Sequence, residues 1–541
     1  MAAGKDPFLL PFPVQPPEAG RLAPRRPSLS GQSVVLFDNS RMSYPSFAEI
    51  GGVVRQSLQD HGATVVAMQY PLLSLTAEQL QDCAEAVVRS GVSAAVIGLA
   101  EAGITQGSVA LAVLLEARGI ATATICTDPG VQLAKSVAAA VLPGLAMIDL
   151  AITPEHTPRQ AGEQARAMLE HVIAALTSVP VPLPAVAPLF PDAGALRSAW
   201  QAAAKQPDAG VAMRDFLRAC EQARIGDGLP CIPPSALLVD AMAASVRDAR
   251  EAVMVPPTHP SGAAITVELA AINAVMAGCE PAHFPVVLAA LHAMAAPRYR
   301  LAQSVITTHP GTNLILVSGP LAQRAGVSSG GGCLGPGQRA NLSIGRAVNL
   351  CMMNVLRSIP GLTDLGTLGS VAEIGTCFAD AAYGNWTSIN EELAGPRTST
   401  VTVHRCAAPY GIMDLLSRNP EGVLDGIAAA ATSIACNNAY YPAELIVVLA
   451  PDHARIVQAA GWSRRDVRNY LFEKARNRRD ALRGRGIDPA WPKWFAALED
   501  IPIAERPEDI LVTVAGGPGG QSLVAVPWGL SRASTTVIAE G

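Results

Sequence analysis

The chain has 541 residues, of which half are hydrophobic and only 16% are charged. This length exceeds what one hydrophobic core normally serves, so we expect two to four domains. The net charge of −5 and the lack of a long basic run argue against a nucleic-acid partner. No window of about 18 apolar residues is free of a breaker or a charge, which predicts no membrane partner. The mean hydropathy of +0.27 is high, so we predict large buried interfaces and a homo-oligomer.

The first 30 residues contain prolines where a signal peptide would need an unbroken apolar segment. We predict that residues 1–30 form an extended, Pro-rich arm, which either lies across a neighbouring subunit or is disordered. The ten cysteines are scattered and form no CxxC pair. This usage is typical of a reducing compartment and predicts a cytoplasmic protein without a disulfide framework.

Residues 31–178 alternate short β-branched runs with amphipathic segments, beginning with the strand SVVLFDNS. This alternation predicts an α/β fold with a doubly wound parallel sheet, in which ligands bind beyond the carboxyl ends of the strands. The Pro-rich residues 179–194 then predict a semi-rigid linker and a domain boundary.

One run in this domain, SAAVIGLAEAGITQGSVALAVLLEARGIATATICTD, resembles the UGSC-motif (seleno)protein family. The family is named for a selenocysteine- or cysteine-Gly-Ser-Cys tetrad, and the landmarks that follow it match Ser108-Val109 and the run from Leu115 to Ile120. The resemblance places the tetrad on Glu101, Ala102, Gly103 and Ile104. Because no thiol or selenol is present there, this loop cannot perform the family's redox chemistry. Glu101 either orients a ligand or is simply exposed to solvent.

Residues beyond 194 contain segments such as GDGLPCIPP, TTHP, GPGQRAN, TCFAD and VAGGPGG, which resemble the C-terminal region associated with the same family. LILVSGPLAQRAG and LIVVLAPDHARIVQAAG share a strand, a proline and a glycine, and they begin 131 residues apart (445 − 314). We therefore predict two related α/β lobes, 195–400 and 401–541, with a binding cleft between them. Within the first lobe we expect helices over 195–224 and 236–252, and two strands flanking the Thr-His-Pro-Gly turn.

The run SSGGGCLGPGQRANLSIGRAVN, from residue 328, places a Gly-rich loop before a predicted helix. Such a loop presents free backbone N–H groups to an anion, which makes the backbone at Gly330, Gly331 and Gly332 a predicted substrate-binding element. Arg339 in the first helical turn is a further candidate. The alternative is a tight loop that packs under a neighbour, with Cys333 as an apolar filler. A second loop, GGPGG, contains Gly517 and Gly519 and is expected to close the cleft from the opposite side.

Four side chains are candidate catalytic groups. His309 is either a general base or a turn histidine bonded to the backbone. Cys377 is either a nucleophile, with His309 or His404 as its base, or a buried inert thiol, and Cys333 is a second candidate thiol. Glu280, Asn341 and Arg339 are expected to build an anion pocket together with His309, which completes an acid/base pair. The histidines and acids have no recognised metal-ligand spacing, and the sequence indicates no cofactor.

These features favour a cytoplasmic enzyme that acts on a small anionic or acyl metabolite by acid/base or cysteine chemistry. A lyase or hydrolase fits better than a redox enzyme, because the redox tetrad is lost and no nucleotide fingerprint is present. One alternative is a thiol-dependent oxidoreductase that uses Cys333 and Cys377. A second alternative is a noncatalytic scaffold subunit that has lost the redox motif.

Overall fold

The computed structural model of the chain is described for most of its residues. The described ranges are 8–14, 21–38, 47–69, 77–100, 105–127, 130–153, 155–179, 189–258, 261–364, 366–486, 491–529 and 531–539. The tetrad position at Glu101, Ala102, Gly103 and Ile104 lies outside these ranges, as does most of the predicted linker.

The N-terminal part alternates strands with helices, as its sequence predicts. In chain order the elements are β1 (Ser33–Asp38), α1 (Phe47–Asp60), β2 (Thr64–Gln69), α2 (Ala77–Arg89), β3 (Ala94–Ala100), α3 (Thr105–Ala117), β4 (Ala121–Thr127), α4 (Gly130–Val141), β5 (Met147–Leu150) and α5 (Pro158–Thr177). The strands form one sheet in the order β2-β1-β3-β4-β5, and all neighbouring pairs are parallel. Separate apolar cores lie on its two faces, so the predicted doubly wound sheet is confirmed.

The larger C-terminal region is a mixed α/β structure. Its first half contains α6 (Ala193–Ala204), α7 (Ala209–Gln222), α8 (Ala236–Ala243), β6 (Val253–Thr258), β7 (Ala263–Thr266), α9 (Val267–Ala277), α10 (Phe284–Ala295), α11 (Leu301–Ser304), β8 (Thr312–Ser318), α12 (Pro320–Arg324), α13 (Arg339–Asn354), β9 (Thr376–Ala379), α14 (Ile389–Ala394) and β10 (Thr398–Cys406). Its second half contains β11 (Tyr410–Met413), α15 (Pro420–Ala431), β12 (Leu445–Leu449), α16 (Pro451–Ala459), α17 (Arg464–Lys474), β13 (Arg476–Arg478), α18 (Arg479–Leu482), β14 (Asp500–Pro502), β15 (Ile510–Val514), β16 (Gln521–Ala525) and β17 (Ser534–Ala539).

Two four-stranded sheets of matching design organise this region. The first sheet has the order β17-β10-β8-β9 and the second has the order β11-β16-β12-β15. In each sheet the first two pairings are antiparallel and the last is parallel. The edge strands are exchanged, because β11 follows β10 in the chain but joins the second sheet, whereas β17 follows β16 but joins the first. β10 also spans the predicted lobe boundary at residue 400, so that boundary does not separate the two sheets.

The two sheets pack against each other through a small apolar core. Leu314, Leu316 and Phe378 of the first sheet meet Ile446 and Val448 of the second. The opposite face of the first sheet carries the largest core of the protein, which α9, α10 and α13 cover. Each sheet therefore has one face toward its counterpart and one face toward helices.

The N-terminal arm packs into the C-terminal region of its own chain. The Phe12 side chain is 2% exposed within the largest core, and the Phe8 ring lies 6.2 Å from the Trp200 ring. The Asn273 side-chain amide donates to the Pro11 carbonyl over 3.1 Å. The prediction of an arm across a neighbouring subunit is therefore wrong for residues 8–12, because aromatic burial anchors them within the chain.

Three predicted elements differ from the structure. The single helix expected over 195–224 is two helices, because Pro207 interrupts it and Asp208 caps α7 through the Val211 N–H. The helix expected to reach residue 252 ends at Ala243, where the Ser245 hydroxyl binds the Met242 carbonyl. The strand expected before the His309 turn is the short helix α11, since a brief apolar run does not distinguish the two. Among the described residues, no helix is both long and apolar enough to cross a bilayer.

Candidate functional site

The Gly-rich loop is braced internally by a single buried amide. Asn341 is 1% exposed, and its Oδ1 accepts from the Ser328 N–H over 2.8 Å. Its Nδ2 donates to the carbonyls of Ser328 and Cys333 over 2.9 and 2.8 Å. Because these bonds use both amide protons, Asn341 holds the loop in shape and has no donor left for the predicted substrate.

The Gly-rich loop also packs against the second glycine loop. The Gly516 N–H donates to the Ser329 carbonyl over 2.8 Å. A Cβ at Gly517 would lie 3.1 Å from the Gly331 Cα, which is closer than ordinary van der Waals contact, so the two backbones approach each other closely here. The structure thus brings two of the predicted binding elements together, but they contact each other directly and connect the two sheets. This contact agrees with the alternative interpretation of a tightly packed loop.

The predicted anion pocket beside this loop consists of an exposed ion pair. Arg339 Nη1 contacts Glu280 Oε1, and both side chains are more than half exposed. The remaining guanidinium nitrogens point at the Gly278 carbonyl over 3.2 and 3.3 Å. Glu280 therefore neutralises Arg339, and the pair fastens the α9–α10 turn to the start of α13.

The two candidate cysteines are buried in different cores. Cys333 is 6% exposed and lies in the core between the sheets, where burial raises the pKa of its thiol although three backbone N–H groups oppose the rise. Cys377 lies in the helix-covered core on the other face of the first sheet, and burial raises its pKa as well. The structure does not bring the two thiols together.

His404 is not positioned to act as a general base for Cys377. It is fully buried, faces the second sheet and binds the Glu444 carbonyl through Nε2. Its register partner on β8 is Leu314, whereas the partner of Cys377 is Ile315, so the two side chains project from opposite faces of the sheet.

His309 lies far from the Gly-rich loop. His309 lies just before the start of β8. The Ser328 carbonyl of the Gly-rich loop accepts from the N–H of Ala379, the last residue of β9, at the opposite end of the same sheet. The seven residues of β8 separate these ends by roughly 20 Å. His309 therefore cannot act together with Arg339 or the glycine loops on one small ligand.

His309 instead joins a group of polar side chains at the opposite end of the first sheet. We call His309, Asp364, Glu373 and Arg405 the Arg405 cluster. Arg405 is only 6% exposed, while the other three are partly exposed. The Arg405 charge acts on the titration of all three neighbours. The cluster thus has a buried cation at its base and titratable groups toward solvent.

Several buried polar atoms of this cluster have no partner among the described residues. They are His309 Nδ1, Glu373 Oε1 and Arg405 Nε. No carboxylate of the described residues lies within ion-pair distance of the Arg405 guanidinium. Buried polar groups are almost always hydrogen bonded, so each unpaired one requires an explanation, such as a catalytic role or a bound water or ion.

A buried network holds Arg405 and Glu373 in place. Arg405 Nη1 donates to Asn313 Oδ1 over 3.1 Å, and Nη2 donates to the Ser304 carbonyl over 3.0 Å. Asn313 Nδ2 donates to Asn349 Oδ1 over 2.8 Å, and the Asn349 amide in turn binds the Glu373 carbonyl. The cation and the carboxyl-bearing loop are therefore positioned by the same chain of amides.

Backbone contacts close the cluster from two further sides. A Cβ at Gly311 would lie 2.9 Å from Arg405 Nε, so the glycine allows the backbone to approach the guanidinium. The loop that carries Asp364 is tied to the histidine turn, because the Thr367 N–H donates to the Thr308 carbonyl over 2.9 Å.

Burial sets the protonation states in the cluster. Burial, together with a smaller contribution from the Arg405 charge, lowers the pKa of His309 to about 4, so the imidazole is neutral at pH 7. Burial raises the pKa of both Asp364 and Glu373, and the Asp364 charge adds to the rise at Glu373. A neutral imidazole beside carboxyls of raised pKa is suited to proton transfer.

The corresponding end of the second sheet contains a group of ion pairs. Arg532 contacts Glu444, Glu505 and Asp509 over 3.2 to 3.5 Å, at the end where β12 and β15 begin. Arg298 adds a second cation to Glu444 over 2.6 Å. Arg532 thus has carboxylate partners from its own chain, whereas Arg405 has none among the described residues.

Comparison with known proteins gives one match. Residues 7–178 match the model of the UGSC family. This N-terminal segment is therefore similar to the UGSC family, and we call it the UGSC domain for that similarity. No curated protein and no solved structure matches the chain. The family match does not extend to the C-terminal region, whose resemblance to family-associated sequences remains a prediction.

The UGSC landmarks in this chain are packing positions. Ser108 and Val109 are buried within α3, and Glu116 accepts from the Thr122 N–H and hydroxyl over 2.8 and 2.7 Å. Glu116 also forms a buried ion pair with Arg25 over 2.7 Å, which fastens the end of the arm to the UGSC domain. The landmark residues therefore stabilise the fold of the domain, and this role does not depend on the missing tetrad.

Sequence reasoning selected His309 but missed Arg405 and Asp364 as its partners. One signal was available, since Arg405 is a charged residue at the end of the buried strand TVTVHRC. A charge that enters a buried strand requires a partner or a ligand. Among the described residues, no group of three or more His, Cys, Asp or Glu side chains is arranged to hold a metal ion.

Proposed function

We propose that the protein is an enzyme that acts on a small anionic metabolite by acid/base chemistry, and that the Arg405 cluster is its site. The observation that supports this most strongly is that buried atoms of Arg405, Glu373 and His309 have no hydrogen-bond partner among the described residues. Arg405 binds an oxyanion of the substrate through its free Nε–H. His309 and Glu373 move the protons.

The roles follow from the charge states. A neutral imidazole accepts a proton from substrate, and the buried Arg405 charge stabilises an oxyanion that develops nearby. A carboxyl of raised pKa delivers a proton to a leaving group. This combination serves elimination or hydrolysis, so we place the enzyme among lyases or hydrolases. The ten free cysteines support a cytoplasmic location.

The thiol alternatives have less support. Cys333 and Cys377 lie in separate cores, and burial raises the pKa of both thiols, which opposes nucleophilic or redox use. The scaffold alternative has one observation in its favour, since the Gly-rich loop is occupied by its own contacts with Asn341 and Gly516. The unpaired buried atoms of the Arg405 cluster favour the enzyme over the scaffold.

The test is a turnover screen with matched variants. Purified protein is incubated with a panel of small organic acids and acyl esters, and products are identified by mass spectrometry in ¹⁸O-labelled water. We expect turnover of at least one acid, with ¹⁸O in the product for hydrolysis and none for simple elimination. His309→Gln and Arg405→Met should each lower kcat/KM by roughly 100-fold or more.

The matched control is His171→Gln on the exposed face of α5, which should retain full activity. Equal activity of wild type, His309→Gln and Arg405→Met would contradict the proposal. Loss of activity in a cysteine variant such as Cys333→Ser, with His309→Gln unaffected, would favour the thiol alternative.

A further inference from the structure

The outer edge of the parallel sheet in the UGSC domain carries unpaired backbone groups. β2 lies at one end of the strand order β2-β1-β3-β4-β5, so β1 is its one neighbour among the described strands. Thr64 bonds toward β1, because its N–H donates to the Gln32 carbonyl over 2.8 Å. Alternate residues of a strand bond in opposite directions, so the N–H and C=O groups of Val65, Ala67 and Gln69 point away from β1. The described residues supply no partner for these groups.

β2 lacks the features that usually protect a sheet edge from other chains. Its sequence, TVVAMQ, contains no charged residue, no proline and no glycine. The opposite edge strand of the same sheet, β5, is only four residues long and presents the exposed Asp149. Short strands and charges discourage pairing at an edge, whereas a longer uncharged edge is a template for a further strand. β2 is therefore the edge of this sheet that is suited to pair with another strand.

The side chains of β2 keep accessible apolar surface on both faces of the sheet. Val66 and Met68 are partly buried against the core that α2 and α3 cover. Val65 is partly buried against the core that α1 and α5 cover, and Ala67 on the same face is exposed. A strand added beside β2 would cover the remaining surface of these side chains, which is favourable in addition to the backbone hydrogen bonds.

We propose that two copies of the chain form a dimer by antiparallel pairing of β2 with β2, about a two-fold axis at Ala67. In this register Ala67 faces Ala67 of the second copy, and Val65 faces Gln69 of the second copy. Each of these pairs exchanges two backbone hydrogen bonds. Val66 then lies opposite Met68 of the second copy, in the type of pair where side chains approach most closely. The two parallel sheets join into one continuous sheet.

The strand is complementary to itself, which makes a second copy its partner. A two-fold axis requires that the same surface serves both subunits. The three outward-facing residues of β2 are placed symmetrically about Ala67, so every outward group finds a partner in this register. A shift of two residues would set Gln69 opposite Ala63, whose N–H already donates to the Leu58 carbonyl over 3.0 Å. The interface involves no residue of the Arg405 cluster, so it is independent of the proposed function.

The experiment measures the mass of the full-length protein by sedimentation equilibrium over a range of concentrations. We expect a dimer of twice the 56.0 kDa chain. Ala67→Lys places two like charges opposite each other at the axis, and Ala67→Pro removes the two N–H donors exchanged there. Each variant should raise the dissociation constant of the dimer by about tenfold or more. A proline is tolerated at this position of an edge strand because the N–H of Ala67 does not bond to β1.

A cysteine at the axis tests the register. In Ala67→Cys the two introduced thiols lie directly opposite each other, with their Cα atoms about 5.5 Å apart, which is within the range of a disulfide. Oxidation with diamide should therefore give a covalent dimer on a non-reducing gel. Thr64→Cys is the matched control, because Thr64 is also exposed on β2 but would lie roughly 20 Å from its counterpart. Neither this control nor the wild type should cross-link.

A second control separates β2 from another sheet edge. Val537 is 53% exposed on β17, the edge strand of the first C-terminal sheet, and Val537→Lys should leave the dimer intact. Ala67→Lys changes only an exposed side chain, so it remains informative even if Ala67→Pro does not fold. A wild type that is monomeric at every soluble concentration overturns the inference. So does a dimer that survives Ala67→Lys, or one that gives no cross-link in Ala67→Cys.

Discussion

The Arg25–Glu116 ion pair is predicted to hold the arm on the UGSC domain, and Arg25→Met tests this. Both side chains are almost fully buried, and Glu116 also accepts from the N–H groups of Ala23 and Thr122. Removing the cation leaves a buried carboxylate with two backbone N–H donors and the Thr122 hydroxyl. Breaking such a pair from one side costs about 3 to 5 kcal/mol, and the remaining donors favour the lower value.

The assay is urea unfolding combined with hydrogen exchange of residues 21–38. A loss of about 3 kcal/mol should accelerate exchange in that segment by roughly 100-fold. The control is Arg159→Met, which removes an exposed pair with Glu163 and should cost less than about 0.5 kcal/mol. If Arg25→Met costs no more than this control, the buried pair does not anchor the arm and the reasoning is refuted.

Three further predictions concern packing and pH. Gly345→Ala in α13 should destabilise the protein by about 1 to 3 kcal/mol in urea unfolding, because the new Cβ would lie 2.6 Å from the Thr376 backbone nitrogen. The control is Gly52→Ala in α1, where a Cβ meets nothing within 4 Å, and it should stabilise the protein slightly. Phe12→Ala should cost about 3 to 5 kcal/mol, measured in the same way, since the ring is buried in the C-terminal core. The His309 pKa of about 4 in the folded protein lies below its unfolded value of about 6.5. The contribution of His309 to the free energy of unfolding should therefore fall by up to about 3 kcal/mol as the pH drops from about 6.5 to 4. If the difference in stability between wild type and His309→Gln stays constant over that range, the imidazole is not buried as described.

The carboxyls of the Arg405 cluster act with the opposite sign. Because the pKa values of Asp364 and Glu373 are raised in the folded protein, protonation of these groups favours folding as the pH falls. The difference between wild type and His309→Gln removes this common contribution and isolates the histidine.

Local patterns in the sequence predict the N-terminal domain well. Each strand of the parallel sheet is a short β-branched run between amphipathic helices, and the landmark at Glu116 lies where the resemblance expects it. Such features depend on neighbours in the chain. The helix break predicted between Gly278 and Pro281 is another local feature. In the structure, α9 ends just before it and α10 begins just after it.

The candidate site was harder to predict because it depends on long-range pairing. The glycines of the 328–338 loop suggested an anion site, but Asn341 and Gly516 already use the loop's groups. Arg405 reaches Asn313 only because β10 pairs with β8 in one particular register. No local pattern fixes that register, so a sequence alone could select His309 without finding its partners.

The most direct test of the central claim is a crystal structure of the protein with a bound organic acid from the turnover screen. The account predicts the ligand carboxylate within hydrogen-bond distance of Arg405 Nε, with His309 and Glu373 on the ligand's other side. A ligand bound instead between the glycine loops at Gly331 and Gly517, with Arg405 untouched, would contradict the account.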